Sequence, residues 1–372
     1  MSALSQKTDK RELVLLCNPQ AGGRWKELAG ILDSQEARHV RRIVTDSIAD
    51  VGPALANLGD DTKLVCIYGG DGTIHRIINR LFSSEKAWCP PLAFIGGGTM
   101  NLAAGWCGLT SSPEKNFRQV CQMYQSGELL FKEIPLLRIQ QGDRVRWGFI
   151  FGTGPIIRIV NEYEQSGKGK AAALVLAAEA VLSIWTNIPK RLNPMTRELK
   201  GEVTIDGKKL PYDQYTAVFC SITSRINPIV EPFIKPRTRD TFHCAAYASN
   251  RREFSFLMPF IARGMLPIDP KALLRPASTW KKIAMSYLGK GSFPTDPRYV
   301  NDVASEFEVH TDEEFFTIDG EILPSTGEPI KVSLGPRIKL AVSPTVELGP
   351  TMRLAAKVPR PHRPSRHLEV VS

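Results

Sequence analysis

One carboxylate stands among glycines in Gly69-Gly70-Asp71-Gly72-Thr73, a combination that suits a phosphate. Glycines have no Cβ, so their backbone can approach a ligand closely. Amides heading a helix, at the positive end of its dipole, favour an anion. A carboxylate beside a phosphate repels it unless a divalent cation lies between them or the carboxylate takes a proton from a nucleophile. Both services belong to phosphoryl transfer. The same five residues also make an ordinary strand-to-helix turn, and short glycine motifs have many false matches.

The flanking residues supply the elements that would position this loop. Residues 63–68 are a short apolar run rich in β-formers, and 74–82 carry apolar side chains at 74, 77, 78, 81 and 82, the spacing of a helix face. The arrangement recurs twice. Strand-like 13–17 runs into Asn18-Pro19-Gln20-Ala21-Gly22-Gly23-Arg24 and a helical 25–32, and 91–95 runs into Gly96-Gly97-Gly98-Thr99-Met100-Asn101 before 102–104. In an open α/β sheet such turns gather at the carboxyl edge, where ligands bind. Residues 39–45 alternate as a further strand, with Asp46 placed to cap a helix from 47 toward 58, and 113–127 form a helix with Pro113 in its first turn. This alternation predicts a parallel, doubly wound sheet.

Near residue 129 the texture changes to short strands. Gln141-Gly142-Asp143 signals a hairpin between 136–140 and 145–150, and further strands are expected at 201–210, 215–220, 241–247, 306–310, 315–319 and 330–334. This half reads as mainly antiparallel, interrupted by helical insertions at 155–185 and 253–264. Asp319-Gly320 is a β-turn signal. Glu321, next to it, is either a solvated neighbour of that turn or a second chemical centre.

Composition narrows the class. The 372 residues suffice for two domains with cores of their own, and 42% hydrophobic content is ordinary for a globular protein. Lys and Arg outnumber Asp and Glu by 48 to 38, a net charge of +10, which favours an acidic partner. Seven cysteines without a C-x-x-C pair read as reduced core residues of a cytosolic protein. The polar opening residues read as no secretory signal. The most apolar helical stretch, 171–185, is too short to span ~30 Å of hydrocarbon and contains Glu179. Residues 353–367 contain five Arg or Lys, several prolines and no acid. Such a tail is disordered by composition and suited to anionic headgroups, and without interleaved aromatics it suits nucleic acid poorly.

Asn18-Pro-Gln-Ala-Gly-Gly, Gly69-Gly-Asp-Gly-Thr with Asn79, Gly98-Thr-Met-Asn101 and Ile318-Asp-Gly-Glu321 occur in this order, and together they resemble the diacylglycerol kinase and sphingosine kinase superfamily, in particular its soluble bacterial members. The resemblance spans about residues 12–345. It implies a nucleotide-binding α/β domain over 10–134, completed by a returning segment at about 338–350. It also implies a β-rich, sandwich-like lipid-substrate domain over 135–337, with the active site in the cleft between the two, and leaves 353–372 as the tail.

The implied activity is ATP-dependent phosphorylation of a lipid hydroxyl, diacylglycerol first, by a cytoplasmic protein that works peripherally at an anionic membrane surface. The implied nucleotide-binding residues are Asn18, Pro19, Thr45, Gly69, Gly70, Asp71, Gly72, Thr73, Gly98, Thr99 and Asn101. Glu321 is the implied catalytic base, and Asp71 would bind or orient Mg²⁺–ATP. Asp240 falls loosely at the place of a structural Mg²⁺, among basic neighbours. Thr45 is equally a β-former at a strand end. Two positions depart from the pattern: Leu102 stands where many diacylglycerol kinases have Asp, and Arg76 where Glu is common. Sphingosine-type members also lack the Asp, so a sphingoid base or another lipid stays open as substrate. NAD kinases share Gly-Gly-Asp-Gly, and a relative that has lost catalysis is the remaining alternative.

Overall fold

The computed structural model describes residues 12–19, 24–45, 47–56, 58–59, 62–83, 89–98, 101–155, 157–158, 179, 182–186, 188–226, 230–269, 295–344 and 369–370. They divide into two compact units, Met1–Pro135 with Pro336–Ser372, and Leu136–Gly335.

In the first unit β1 (Glu12–Cys17), β2 (Arg41–Val44), β3 (Thr62–Gly69) and β4 (Leu92–Gly96) pair in parallel in the order β2-β1-β3-β4. The second half of the strand Ile330–Ala341 adds to β4 in parallel through Leu340 and Leu92. Between and after the strands run α1 (Trp25–Leu32), α2 (Ile48–Ala56), α3 (Asp71–Ser83), α4 (Leu102–Trp106) and α5 (Pro113–Ser126). The chain steps from β1 outward to β2, then returns over β1 to β3, and right-handed crossovers in opposite directions place helices on opposite faces. Accordingly α1 packs with α5, and α2 with α3. The reversal between β1 and β3 is a topological switch point, the place where open α/β sheets bind ligands.

Burial follows the sequence pattern. Leu13 to Cys17 and Leu64 to Tyr68 are buried on both faces of the sheet, and α3 buries Ile74, Ile77, Ile78 and Leu81, one apolar stripe. Each such side chain contributes about 1.5–3 kcal/mol. Helix α5 is bounded by Ser112, whose hydroxyl accepts from the Lys115 amide, and by left-handed Gly127. At the start of α2 the Ser47 amide and hydroxyl both donate to Asp50. Asp46 lies outside the described residues.

The second unit is antiparallel. Ala217–Ser221 lies between Ile150–Thr153 and Phe242–Tyr247, extended by Phe315–Ile318 and Glu321–Pro324 on one side and Tyr299–Ala304 on the other. A second group pairs Leu199–Ile205 with Glu306–Thr311, and that strand with the first half of Ile330–Ala341. The helix Arg251–Ile261 packs on a core of Ala217, Phe233, Ala245, Tyr247, Ile261 and Tyr299.

Three expectations are revised here. The strand expected at 330–334 and the start of the returning segment expected at about 338–350 are one strand, which changes partners instead of breaking at Gly335-Pro336. Tyr299–Ala304 is a strand the sequence pattern hides, because Asn301 interrupts its apolar alternation. Asn301 is tolerated there because its amide donates to the Pro232 carbonyl and the Tyr247 hydroxyl and accepts from the Ile234 amide. In the basic tail, Glu369–Val370 form a two-residue strand against Leu130–Phe131, so that dipeptide is not disordered; 353–368 lie outside the described residues, as does most of the 155–185 insertion.

The seven cysteines are free, and six are buried. Burial pushes the Cys17 and Cys89 thiols up to about 11 and those of Cys107, Cys121 and Cys244 to about 12, which keeps them protonated and inert. No described helix is long and apolar enough to cross a membrane. Arg158 and Glu313 form an ion pair with little exposure in the second unit, where Arg158 also donates to the Met195 and Arg197 carbonyls.

His243 gives this unit a pH dependence. Its ring is buried, stacks 4.7 Å from Phe233, and leaves Nδ1 without a hydrogen-bond partner. Burial, with help from the Arg237 charge, lowers its pKa to about 4. Above the ordinary value near 6.5 both folded and unfolded chains hold it neutral. Below that the unfolded chain gains the proton first, so stability falls as pH drops from about 6.5 to 4, by up to about 3 kcal/mol. His243→Phe should remove that share of the loss, which chemical denaturation of both proteins at pH 7 and pH 4.5 will read. Equal losses in the two would refute it.

Candidate active site

The loops that close β3 and β4 lie against each other. The Gly97 amide donates to the Gly69 carbonyl at 2.9 Å, one step beyond the paired Gly69 and Gly96. Next to it the two backbones touch: a Cβ on Gly98 would lie 2.7 Å from the Gly70 Cα. Any side chain at Gly98 would push the loops apart. Asn101, left-handed at φ 50°, clamps the second loop by accepting from the Gly98 amide and donating to the Gly98 carbonyl, both at 2.8 Å. Its side-chain amide is thus committed to the shape of the loop.

Asp71 ties the loops together. It is the first residue of α3, and its two carboxylate oxygens accept from the Leu102 and Ala103 amides, each at 3.2 Å, at the start of α4. First-turn amides have no acceptor within their own helix, so Asp71 satisfies two of them from a different helix. Gly72 and Thr73 follow at the head of α3, before the first internal bond from the Ile74 amide to the Gly70 carbonyl. The Thr73 side chain covers Gly69.

At the end of β1 the Asn18 amide donates to the Tyr68 carbonyl at 3.4 Å, joining the two strands that flank the switch point, and Pro19 follows. The Tyr68 ring packs 5.7 Å from Trp25. Thr45 is buried, and its hydroxyl donates to the Cys17 carbonyl at 3.3 Å, a bond that serves the strand end. Asn79 donates to the His75 carbonyl one turn earlier in α3. Gln20 to Gly23 and Thr99 lie outside the described residues. The structure therefore brings Gly69, Gly70, Asp71, Gly72, Thr73, Gly98 and Asn101 together, with Asn18 beside them at the carboxyl ends of β1 and β3.

In the second unit Asp319 and Gly320, at φ 54° and 90°, form a two-residue hairpin turn that pairs Ile318 with Glu321. One Asp319 oxygen accepts from the Phe149 and Ile150 amides, both at 2.8 Å, and the Asp319 amide donates to the Ile150 carbonyl at 2.9 Å. The turn can come this close because residue 148 is glycine, where a Cβ would collide with the Ile318 side chain. Glu321 is half-buried at the head of its strand, and its carbonyl accepts from the Thr317 hydroxyl. Its position is therefore set by a braced turn. Asp240 sits exposed in a turn, and among the described residues no three His, Cys, Asp or Glu side chains gather to hold a metal.

Two bonding roles escaped the sequence. Asp319 reads there as a turn residue only, since nothing local reveals amide partners some 170 positions away. Nor does the sequence show that the first amides of α4 are what Asp71 grips.

A parallel β2-β1-β3-β4 sheet with touching glycine loops and one braced carboxylate at its carboxyl edge, together with a β-rich antiparallel unit, defines a two-unit α/β fold. Residues 12–127 match the family described as the diacylglycerol kinase catalytic domain. The fold agrees with solved structures of a candidate diacylglycerol kinase and of a diacylglycerol kinase, both from Bacillus anthracis str. Sterne. Their TM-scores are 0.58 and 0.55 at 17% and 15% identity, and each match covers 90% of this chain and 98% of the other. Among curated proteins none matches the chain.

Proposed function

We propose that this protein is an ATP-dependent lipid kinase that transfers the γ-phosphoryl group to a lipid hydroxyl, with diacylglycerol as the first-choice acceptor and phosphatidate as product. The observation that carries the reading is Asp71, held by two α4 amides beside the Gly70–Gly98 contact at the carboxyl edge of β3. ATP would supply the phosphoryl group and Mg²⁺ would neutralise its charge. The bare backbone of the two loops and the first-turn amides of α3 suit the phosphates. The Asp71 carboxylate beside these loops suits a cation shared with them, since Mg²⁺ is commonly held by one or two carboxylates together with substrate phosphates. Glu321 is assigned the acceptance of the hydroxyl proton.

Leu102 keeps a sphingoid base as second acceptor. Its backbone is what Asp71 binds, and its side chain adds no second carboxylate. Purified protein with labelled ATP, Mg²⁺ and a panel of micellar diacylglycerol, sphingosine, other lipid alcohols and NAD tests the reading. Label should enter diacylglycerol most rapidly. Exclusive labelling of NAD, or of no acceptor, would overturn it.

A further inference from the structure

The helix Arg251–Ile261 buries one side and leaves the other uncovered. Phe254, Leu257 and Ile261 pack on the core, whereas Arg252, Phe256 and Phe260 form an outward row at i, i+4 spacing. Phe256 is 67% exposed and Phe260 46%. The apolar surface continues on both sides. The Trp185 indole N–H donates to the Ser255 hydroxyl at 3.1 Å and Arg252 donates to the Ile184 carbonyl at 3.2 Å, which sets half-exposed Trp185 beside the helix. At the far end the Met265 amide donates to the Phe260 carbonyl, and exposed Ile234 lies against the backbone of Gly264. Exposed apolar patches of this kind mark contact surfaces.

The charges around this patch are unequal. Glu253 is paired with Arg298 and Glu231 with Arg225, and Glu198 accepts from the Arg251 amide, while Arg252 on the helix and Arg263 just after it are exposed in a chain of net charge +10. We propose that this face of the second unit docks on a lipid bilayer bearing anionic headgroups. The phenyl rings enter the acyl boundary, Trp185 lies at headgroup level with its N–H already bonded, and the arginines meet lipid phosphates. The choice of a bilayer over a protein partner rests on the lipid-kinase reading.

The test uses the full chain without ATP, sedimented with vesicles of phosphatidylcholine alone or mixed with phosphatidylglycerol. The wild type should bind the mixed vesicles more tightly. The F256Q/F260Q pair should weaken that binding at least about tenfold, and R263Q should flatten its salt dependence. V44Q, an exposed apolar site in the first unit, should behave as wild type. Thermal unfolding and turnover on micellar lipid, expected within about twofold of wild type, verify the fold of each variant, and F256Q alone serves if the pair misfolds. Wild-type vesicle affinity in folded F256Q/F260Q would overturn the proposal. So would self-association of the wild type that this pair abolishes, with no vesicle binding, since the patch would then join two copies of the chain. Patch-dependent vesicle binding by a protein that labels no lipid would support docking and refute the kinase reading; micellar turnover without vesicle binding would do the reverse.

Discussion

Asp71→Asn should lower turnover at least about 100-fold in molecules that remain folded. The variant removes the charge proposed to hold a cation, and loss of one preorganised electrostatic group typically costs 10²–10³ in rate. It also disturbs a structural tie, because Asp71 accepts from two amides. A carboxamide offers one oxygen and one NH₂, so one of these donors would face another donor, at a cost of about 1–3 kcal/mol. The two effects separate by measurement. Thermal unfolding fixes the folded fraction, and Mg²⁺-dependent ATP binding and turnover are then expressed per folded molecule. Near-normal turnover per folded molecule would reduce Asp71 to a helix cap and remove the principal support for the kinase assignment.

Glu321→Gln should act differently. Its turnover should fall by roughly 10²- to 10⁴-fold, the usual worth of a positioned acid–base group, with ATP affinity almost unchanged because the loops proposed to bind ATP belong to the first unit. Stability should change little, since the turn that places Glu321 is braced by Asp319 through the Phe149 and Ile150 amides and survives the substitution. Steady-state kinetics, ATP binding and thermal unfolding on one preparation will decide. Unchanged turnover would dismiss the base, and lost ATP binding would move Glu321 into the nucleotide site.

The strands and helices of the first unit were legible in the sequence because their signals are local. Buried parallel strands read as continuous apolar runs such as Leu13 to Cys17, and Ile74, Ile77, Ile78 and Leu81 spell one helix face. The glycine loops were legible for the same reason, each following a strand and preceding a helix. Strand order needs pairings between distant residues, and only the fold shows that β1 and β3 adjoin at the reversal of the sheet.

Hydrogen-bond assignments were less accessible still. Asn101, which the family resemblance implies as a nucleotide ligand, bonds the Gly98 amide and carbonyl in the fold. Thr45 likewise spends its hydroxyl on Cys17. A side chain's type limits which bonds it can make, while its nearest donors and acceptors are fixed by chain segments tens to hundreds of residues away. The sequence by itself determined that a carboxylate would stand among glycines at a helix start and that Glu321 would follow a tight turn. Tertiary structure decided that Asp71 grips α4, that Asp319 pins its hairpin to Phe149 and Ile150, and that Gly70 and Gly98 touch. Those contacts exist only once separate strands have paired, because each joins backbone groups that the chain brings within bonding distance by folding.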